Sequence, residues 1–222
     1  MKKLFVQGLL RFAAGVVLLG TLLFGSAGTL RWREGWFFMG ILFIPMFLAG
    51  LVMLRYDPEL LRRRLNVREE QSEQRAVIAM SGALFIVVFV LAGLDHRFGW
   101  SCLPRGVSIG AAAVFLLSYL LYAEVLRENQ YLSRTVEVQE GQQVIDSGLY
   151  GIVRHPMYSA TTVLFLSMPL VLGSLPSFAA MLLYVPIIVR RIRNEETVLS
   201  EGLAGYKDYV NRVKYRLIPY IW

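Results

Sequence analysis

The sequence predicts an all-α integral membrane protein, a multi-pass bundle of about six apolar helices whose last two form a hairpin. Three observations carry that expectation. Hydrophobic residues fill 56% of the 222 positions against 18% charged, and the mean hydropathy is +0.52, more apolar surface than one soluble core of this length can hide. The apolar residues fall in runs close to the ~20 positions that cross a bilayer as a helix. Inside lipid every backbone polar group needs a partner within its own segment, which selects helix over open sheet.

The first run, Leu4–Leu30, follows Lys2 and Lys3. That pattern also fits a signal peptide with Gly25-Ser26-Ala27-Gly28 as its cleavage region; it is read here as a retained span. Arg11 lies within it and can reach the near interface along its own alkyl stem. The second span is Gly35–Leu54, the third Ala76–Leu94 and the fourth Val107–Leu126. Between the second and third, Asp57-Pro58 reads as an N-cap and first-turn proline opening a helix through about Glu73. Its leucines 60, 61 and 65 beside arginines 62, 63 and 64 suit either a helix lying on anionic lipid or a solvated connector. The hairpin comprises Pro156–Gly173, a turn at Ser174-Leu175-Pro176-Ser177 and a returning helix that continues past Val189. Prolines 45, 169 and 186 inside spans predict local kinks. Segment Asn129–Val153 is the longest polar piece between spans, with an alternating Thr135-Val136-Glu137-Val138 that fits a short strand and a turn at Gln139-Glu140-Gly141-Gln142. It is too short for a domain of its own and reads as a lid or wall. One domain over 1–222 is the simplest organisation, with N-terminal spans over 1–100 and a motif-bearing region over 101–222.

Six crossings put both termini on one side, together with 18 of the lysines and arginines against 4 on the other. That asymmetry predicts cytoplasmic termini, in the plasma or inner membrane of a bacterium or the endoplasmic reticulum of a eukaryote. The net charge of +7 is read the same way, as basic residues on the cytoplasmic face rather than a nucleic-acid partner. A single cysteine, Cys102, excludes an internal disulfide, and two histidines, His96 and His155, make a poor zinc or haem set.

Two polar clusters bracket the hairpin. One runs from Gln142 to Tyr158, and the other is Arg190-Arg191-Ile192-Arg193-Asn194-Glu195-Glu196. A hairpin that enters and returns brings them to the same membrane face. Pro156 suits a first helical turn, where its missing N–H would be unpaired anyway. Arg154 and His155 then sit at the positive helix end, placed to hold an anion. Tyr158 offers a ring face and a hydroxyl. These three residue types are also common as interfacial anchors. Arg191 and Glu195, four apart, share one helix face. They fit an exposed ion pair worth only ~0.3–0.5 kcal/mol, or a site for a ligand of mixed charge, since guanidinium grips carboxylate and glutamate accepts from amino and hydroxyl groups. Dinucleotide, Walker, nucleophile-elbow and zincin motifs are all missing from the sequence.

Gly148-Leu149-Tyr150, Arg154-His155-Pro156-Met157-Tyr158, Glu195-Glu196-Thr197-Val198-Leu199, Gly205-Tyr206-Lys207-Asp208-Tyr209 and Arg216-Leu217-Ile218-Pro219 together resemble the isoprenylcysteine carboxyl methyltransferase family. The resemblance covers roughly the C-terminal half. It implies a membrane-embedded enzyme dependent on S-adenosyl-L-methionine, with the cofactor against Gln142, Gln143, Val144, Ile145, Tyr150, His155, Pro156, Met157, Tyr158 and Glu195. Arg191 is implied as the catalytic residue facing the substrate carboxylate, with Arg154 also on the substrate side. The sequence departs from the family pattern at Gln142, where histidine is frequent, at Leu149, where proline is, and at Ala160, where glycine is. The Gln142 change removes a potential cofactor contact.

The resulting expectation is methyl transfer to the carboxylate of a lipophilic, isoprenylcysteine-like acceptor that enters from the bilayer. Two rivals stay open. A phospholipid N-methyltransferase starts from an amine that is protonated, with a pKa near ~10, and needs a base such as Glu195 or Glu196. A non-enzymatic membrane protein would use the same clusters to bind lipid headgroups or a partner.

Overall fold

The computed structural model describes residues 2–65, 72–132 and 138–222. All regular structure among these residues is helical. Helix α1 (Lys2–Gly20) runs on into a π turn at Thr21–Gly25, where the Ser26 hydroxyl donates back to the Leu22 carbonyl. Then follow α2 (Arg33–Tyr56), α3 (Pro58–Leu65), α4 (Ser72–Phe98), α5 (Arg105–Glu128), a 3₁₀ turn (Gly148–Gly151), α6 (Pro156–Val171), α7 (Leu175–Met181), α8 (Tyr184–Gly202) and α9 (Tyr206–Arg212).

Five stretches are long and apolar enough to cross a membrane: Lys3–Gly25, Arg33–Tyr56, Gln74–Phe98, Arg105–Glu128 and Leu175–Gly202. The sixth apolar helix, α6, has 16 residues, so it is ~24 Å long and does not by itself bridge a ~30 Å hydrocarbon core. Large apolar side chains face outward along the bundle, Leu10, Leu117 and Leu120 among them, as bilayer contact requires. The chain is a multi-pass helical membrane protein.

The returning arm of the hairpin is two helices rather than one. Ser174 is the N-cap of α7, its hydroxyl accepting from the Ser177 N–H at 3.3 Å, so Ser174-Leu175-Pro176-Ser177 opens a helix instead of forming a free turn. The break at Leu182–Leu183 has its cause in Pro186, whose ring collides with the carbonyl four residues back. Pro45, by contrast, lies within an α2 that stays continuous. Asp57 caps α3 as the sequence suggested, its carboxylate accepting from Leu60 N–H at 2.9 Å. The onward part of that helix as far as 71, and most of the expected strand Thr135–Val138, lie outside the described residues. The Gln139–Gln142 turn is present, closed by a 3.1 Å backbone hydrogen bond.

The main apolar core joins the first two spans to α4, α5 and α6 through fully buried Leu23, Phe38, Phe115 and Val171. A second core, around Val88, Met181, Ile188 and Ile192, seats α8 against α4 and reaches Tyr158 at the start of α6. A third, of Leu203, Tyr206, Tyr209 and Val213, anchors the C-terminal segment. Close helix contact depends on Gly93. A Cβ there would lie 1.9 Å from the Ser26 hydroxyl and 2.6 Å from the Leu23 carbonyl of the π turn. Small residues at such crossings let backbones approach. We expect Gly93→Ala to destabilise the bundle by about 2 kcal/mol through overpacking. Gly82→Ala, where an added Cβ meets nothing within 4 Å, serves as the control. Thermal unfolding in detergent measures both, and equal midpoints would refute the close contact.

Candidate functional site

The two polar clusters meet at one end of the bundle. Pro156 is the first residue of α6 and His155 its N-cap, which aims the preceding backbone at the C-terminal segment. Arg154 N–H donates to the Tyr215 carbonyl at 2.8 Å and His155 N–H to that of Arg216 at 2.9 Å. The anion at this helix end is the chain's own Glu196. Its Oε1 accepts from Arg154 Nε at 2.7 Å and lies 3.2 Å from His155 Nε2, while Oε2 accepts from Arg216 Nε at 2.8 Å. A carboxylate can only accept, so this arrangement puts a proton on His155 Nε2. Arg154 is spent almost wholly within the protein, since its Nη1 also donates to the carbonyls of Val213 and Lys214.

Tyr158, on the first turn of α6, links the two members of the α8 pair. Its hydroxyl donates to Glu195 Oε2 at 2.5 Å and accepts from Arg191 Nε at 2.8 Å. Arg191 Nη1 donates to Gln74 Oε1 of α4 at 3.0 Å, and its guanidinium stands 5.9 Å from the Tyr158 ring centre. The expected shared face of Arg191 and Glu195 is therefore real, with a tyrosine hydroxyl between them rather than open solvent.

These groups line a cleft that opens to solvent and encloses a volume of about 90 Å³. Its wall is the segment Gln142–Ile145 together with Tyr150, His155, Met157, Tyr158, Arg154, Arg191 and Glu195. Pro156, also expected at the site, is buried in the first turn of α6 and does not line the cleft. The wall is held at three points. Leu149 N–H donates to the Glu128 carboxylate, Asn129 donates to the Tyr150 hydroxyl at 2.9 Å, and the Tyr209 hydroxyl donates to the Tyr150 carbonyl at 2.7 Å. Gly148 is required for the first, because it has φ +53° and a Cβ there would fall 1.8 Å from Glu128 Oε1. Burial raises the pKa of Tyr150, Tyr206 and Tyr209 well above the ordinary tyrosine value, so these hydroxyls stay protonated donors.

The sequence reading did not name Asn129, Leu199, Leu203, Tyr206 or Tyr209 for the site, yet all line the cleft. The tyrosines stood in a motif already quoted, and their burial was the missing clue. Gln74 is fully buried, with its amide nitrogen lacking a hydrogen-bond partner; nothing in its sequence surroundings marks it. Tyr206 has the same character, a buried hydroxyl without a partner at the cleft. Among the described residues no cluster of His, Cys, Asp and Glu could hold a metal.

Glu196→Ala would leave the Arg154 side chain, 4% exposed, without its countercharge. We expect a loss of about 3 kcal/mol, with faster amide exchange at the backbone bonds from residues 154 and 155 to 215 and 216. Glu196→Gln should lose less, and wild-type exchange in both variants would remove Glu196 from this structural role.

Residues 107–204 match the model of the phospholipid methyltransferase family. A Delta(14)-sterol reductase of Mus musculus is 32% identical over 91 residues, 40% of this chain and 22% of that protein. A Delta(14)-sterol reductase of Arabidopsis thaliana is 25% identical over 141 residues, 56% of this chain and 38% of its own length. The chain thus spans well under half of these two relatives. The match to a phospholipid methyltransferase model falls on the same C-terminal part of the chain as the motifs that resemble isoprenylcysteine carboxyl methyltransferases. The matched segment, residues 107–204, includes most of the residues that line the cleft.

Proposed function

We propose that this protein transfers a methyl group from S-adenosyl-L-methionine to the carboxylate of a lipophilic acceptor. The observation that carries the reading is Arg191, oriented by Tyr158 and Gln74 at a cleft that also presents Glu195. A zwitterionic cofactor needs both charge signs and several hydrogen-bond donors in one pocket. The cleft's mixed charge, its buried tyrosines and the unpartnered hydroxyl of Tyr206 fit that need.

When bound, the cofactor supplies an electrophilic sulfonium methyl, so that one carbon–oxygen bond forms as a carbon–sulfur bond breaks and a neutral thioether leaves. Gln142, Gln143, Val144, Ile145, Tyr150, His155, Met157, Tyr158 and Glu195 would hold it. The acceptor carboxylate is ionised at neutral pH and needs no base from the protein. Arg191 attracts and orients it without giving up a proton, and Tyr158 and Gln74 fix the plane of the guanidinium. In this reading the termini and the cleft face the cytoplasm, where the cofactor is available, and the acceptor's apolar part enters sideways from the bilayer.

The family match equally supports methylation of an amine headgroup, for which Glu195 is the carboxylate on the cleft. Glu196 is a poor base in that scheme because it is already shared among Arg154, His155 and Arg216. The names of the two relatives favour a third chemistry, reduction of a sterol double bond, which needs a hydride donor instead.

Membranes containing the protein, given methyl-labelled S-adenosyl-L-methionine, should yield lipid-extractable label that mild alkali releases as methanol. Alkali-stable label would establish the amine acceptor, and no transfer alongside sterol reduction would establish the reductase. Arg191→Lys keeps the charge but loses the planar fork. It should lower kcat/KM for the acceptor by at least ~10-fold while calorimetry finds cofactor affinity within a factor of ~2 of wild type. Parallel loss of both would place Arg191 on the cofactor side.

A further inference from the structure

A second cavity, of about 340 Å³, lies between α1, α2 and α3, and none of the described residues that line it also lines the cleft. Its size falls in the range that takes small ligands, ~300–1,000 Å³. The lining is apolar except for two guanidinium groups, Arg11 and Arg64. Phe5, Leu9, Met46, Phe47 and Leu51 line it while remaining between 38% and 43% exposed, so the cavity opens sideways toward the acyl chains.

The charged end is incompletely satisfied. Arg11 Nη1 donates to the Leu65 carbonyl at the end of α3. Arg64 stacks over the Tyr122 ring at 5.4 Å, but its Nη2 is buried without a hydrogen-bond partner. A buried guanidinium N–H left unpaired is unfavourable, and water alone does not suit a chamber lined this heavily by apolar groups. A ligand with an apolar chain and an anionic oxygen at one end satisfies both features. Helix α3 fits the same geometry, since Leu60 and Leu61 are buried on it while Glu59 and Arg62 stay in solvent, as at a headgroup boundary.

We propose that this cavity is a binding site for an anionic glycerophospholipid. One acyl chain lies along Phe5, Phe12, Phe47 and Leu51, and the headgroup phosphate meets Arg64 and Arg11. The charge complementarity favours phosphatidylglycerol over phosphatidylcholine with the same chains. The site is separate from the methyl-transfer reading, and its test reads lipid retention rather than catalysis.

The full chain, purified in neutral detergent, is offered equal amounts of phosphatidylglycerol and phosphatidylcholine and weighed by native mass spectrometry. Wild type should retain the anionic lipid in about fivefold preference, and Arg64→Gln should bring the two to parity. Gly50→Leu fills the cavity and should diminish retention of both lipids. A Cβ at Gly50 meets nothing within 4 Å, so that variant tests the cavity without disturbing the backbone. Excess glycerol phosphate should leave the bound lipid in place. Undiminished preference in Arg64→Gln, undiminished retention in Gly50→Leu, or displacement by glycerol phosphate would each overturn the proposal.

Discussion

The architecture of the cleft hangs on one carboxylate. Glu196 gathers Arg154 and His155 from the entry to α6 and Arg216 from the C-terminal segment, and it projects from α8. Three pieces of chain distant in sequence are thereby joined by charge-assisted bonds. The pairing is nearly dry, with Arg154 and His155 side chains each 4% exposed. Removing water from ions is costly, and such a cluster persists only when each ion keeps its partners. The backbone bonds from residues 154 and 155 to 215 and 216 complete the joint. The neighbouring residue, Glu195, is released by that arrangement to face the cleft.

From that joint the rest of the site follows. With α6 and α8 locked side by side, the Tyr158 hydroxyl is within reach of both Arg191 and Glu195, accepting from one and donating to the other. A phenol is the right linker because it can do both at once, where two opposite charges in direct contact would neutralise each other. The guanidinium and the carboxylate thus remain distinct surfaces within one cleft. Gln74 adds a constraint from α4, which is itself set by the packing of Val88 against the α7–α8 arm.

Much of this was legible in the sequence because a membrane protein makes polar residues conspicuous. Gln142–Ile145, His155, Tyr158, Arg191 and Glu195 stood out as polar or motif-bearing strips beside apolar runs, and the cleft brings them together. The order of spans was readable from hydropathy alone, and the α7–α8 break could be traced to Pro186. What escaped depends on tertiary contact. Gln74 carries no signal in the sequence, and only its burial against Arg191 gives it a role. Arg154 looked like an anion-binding group, and its partner turned out to be 42 positions along the same chain. Ser174 read as a turn residue, though only its bond to Ser177 shows that a helix begins there.

The boundaries of the family match divide the residues of the cleft and their supports into two sets. Residues 107–204 include the Gln142–Ile145 wall, Tyr158, Arg191 and Glu195, but they exclude Gln74, Tyr206 and Tyr209. The matched region therefore carries the groups that set the cleft's charge. The groups outside it orient Arg191 from one side, through Gln74, and brace Tyr150 from the other, through Tyr209. An orienting contact is a sensitive place for variation, because rotating a guanidinium alters which anion it fits without altering the charge of the site.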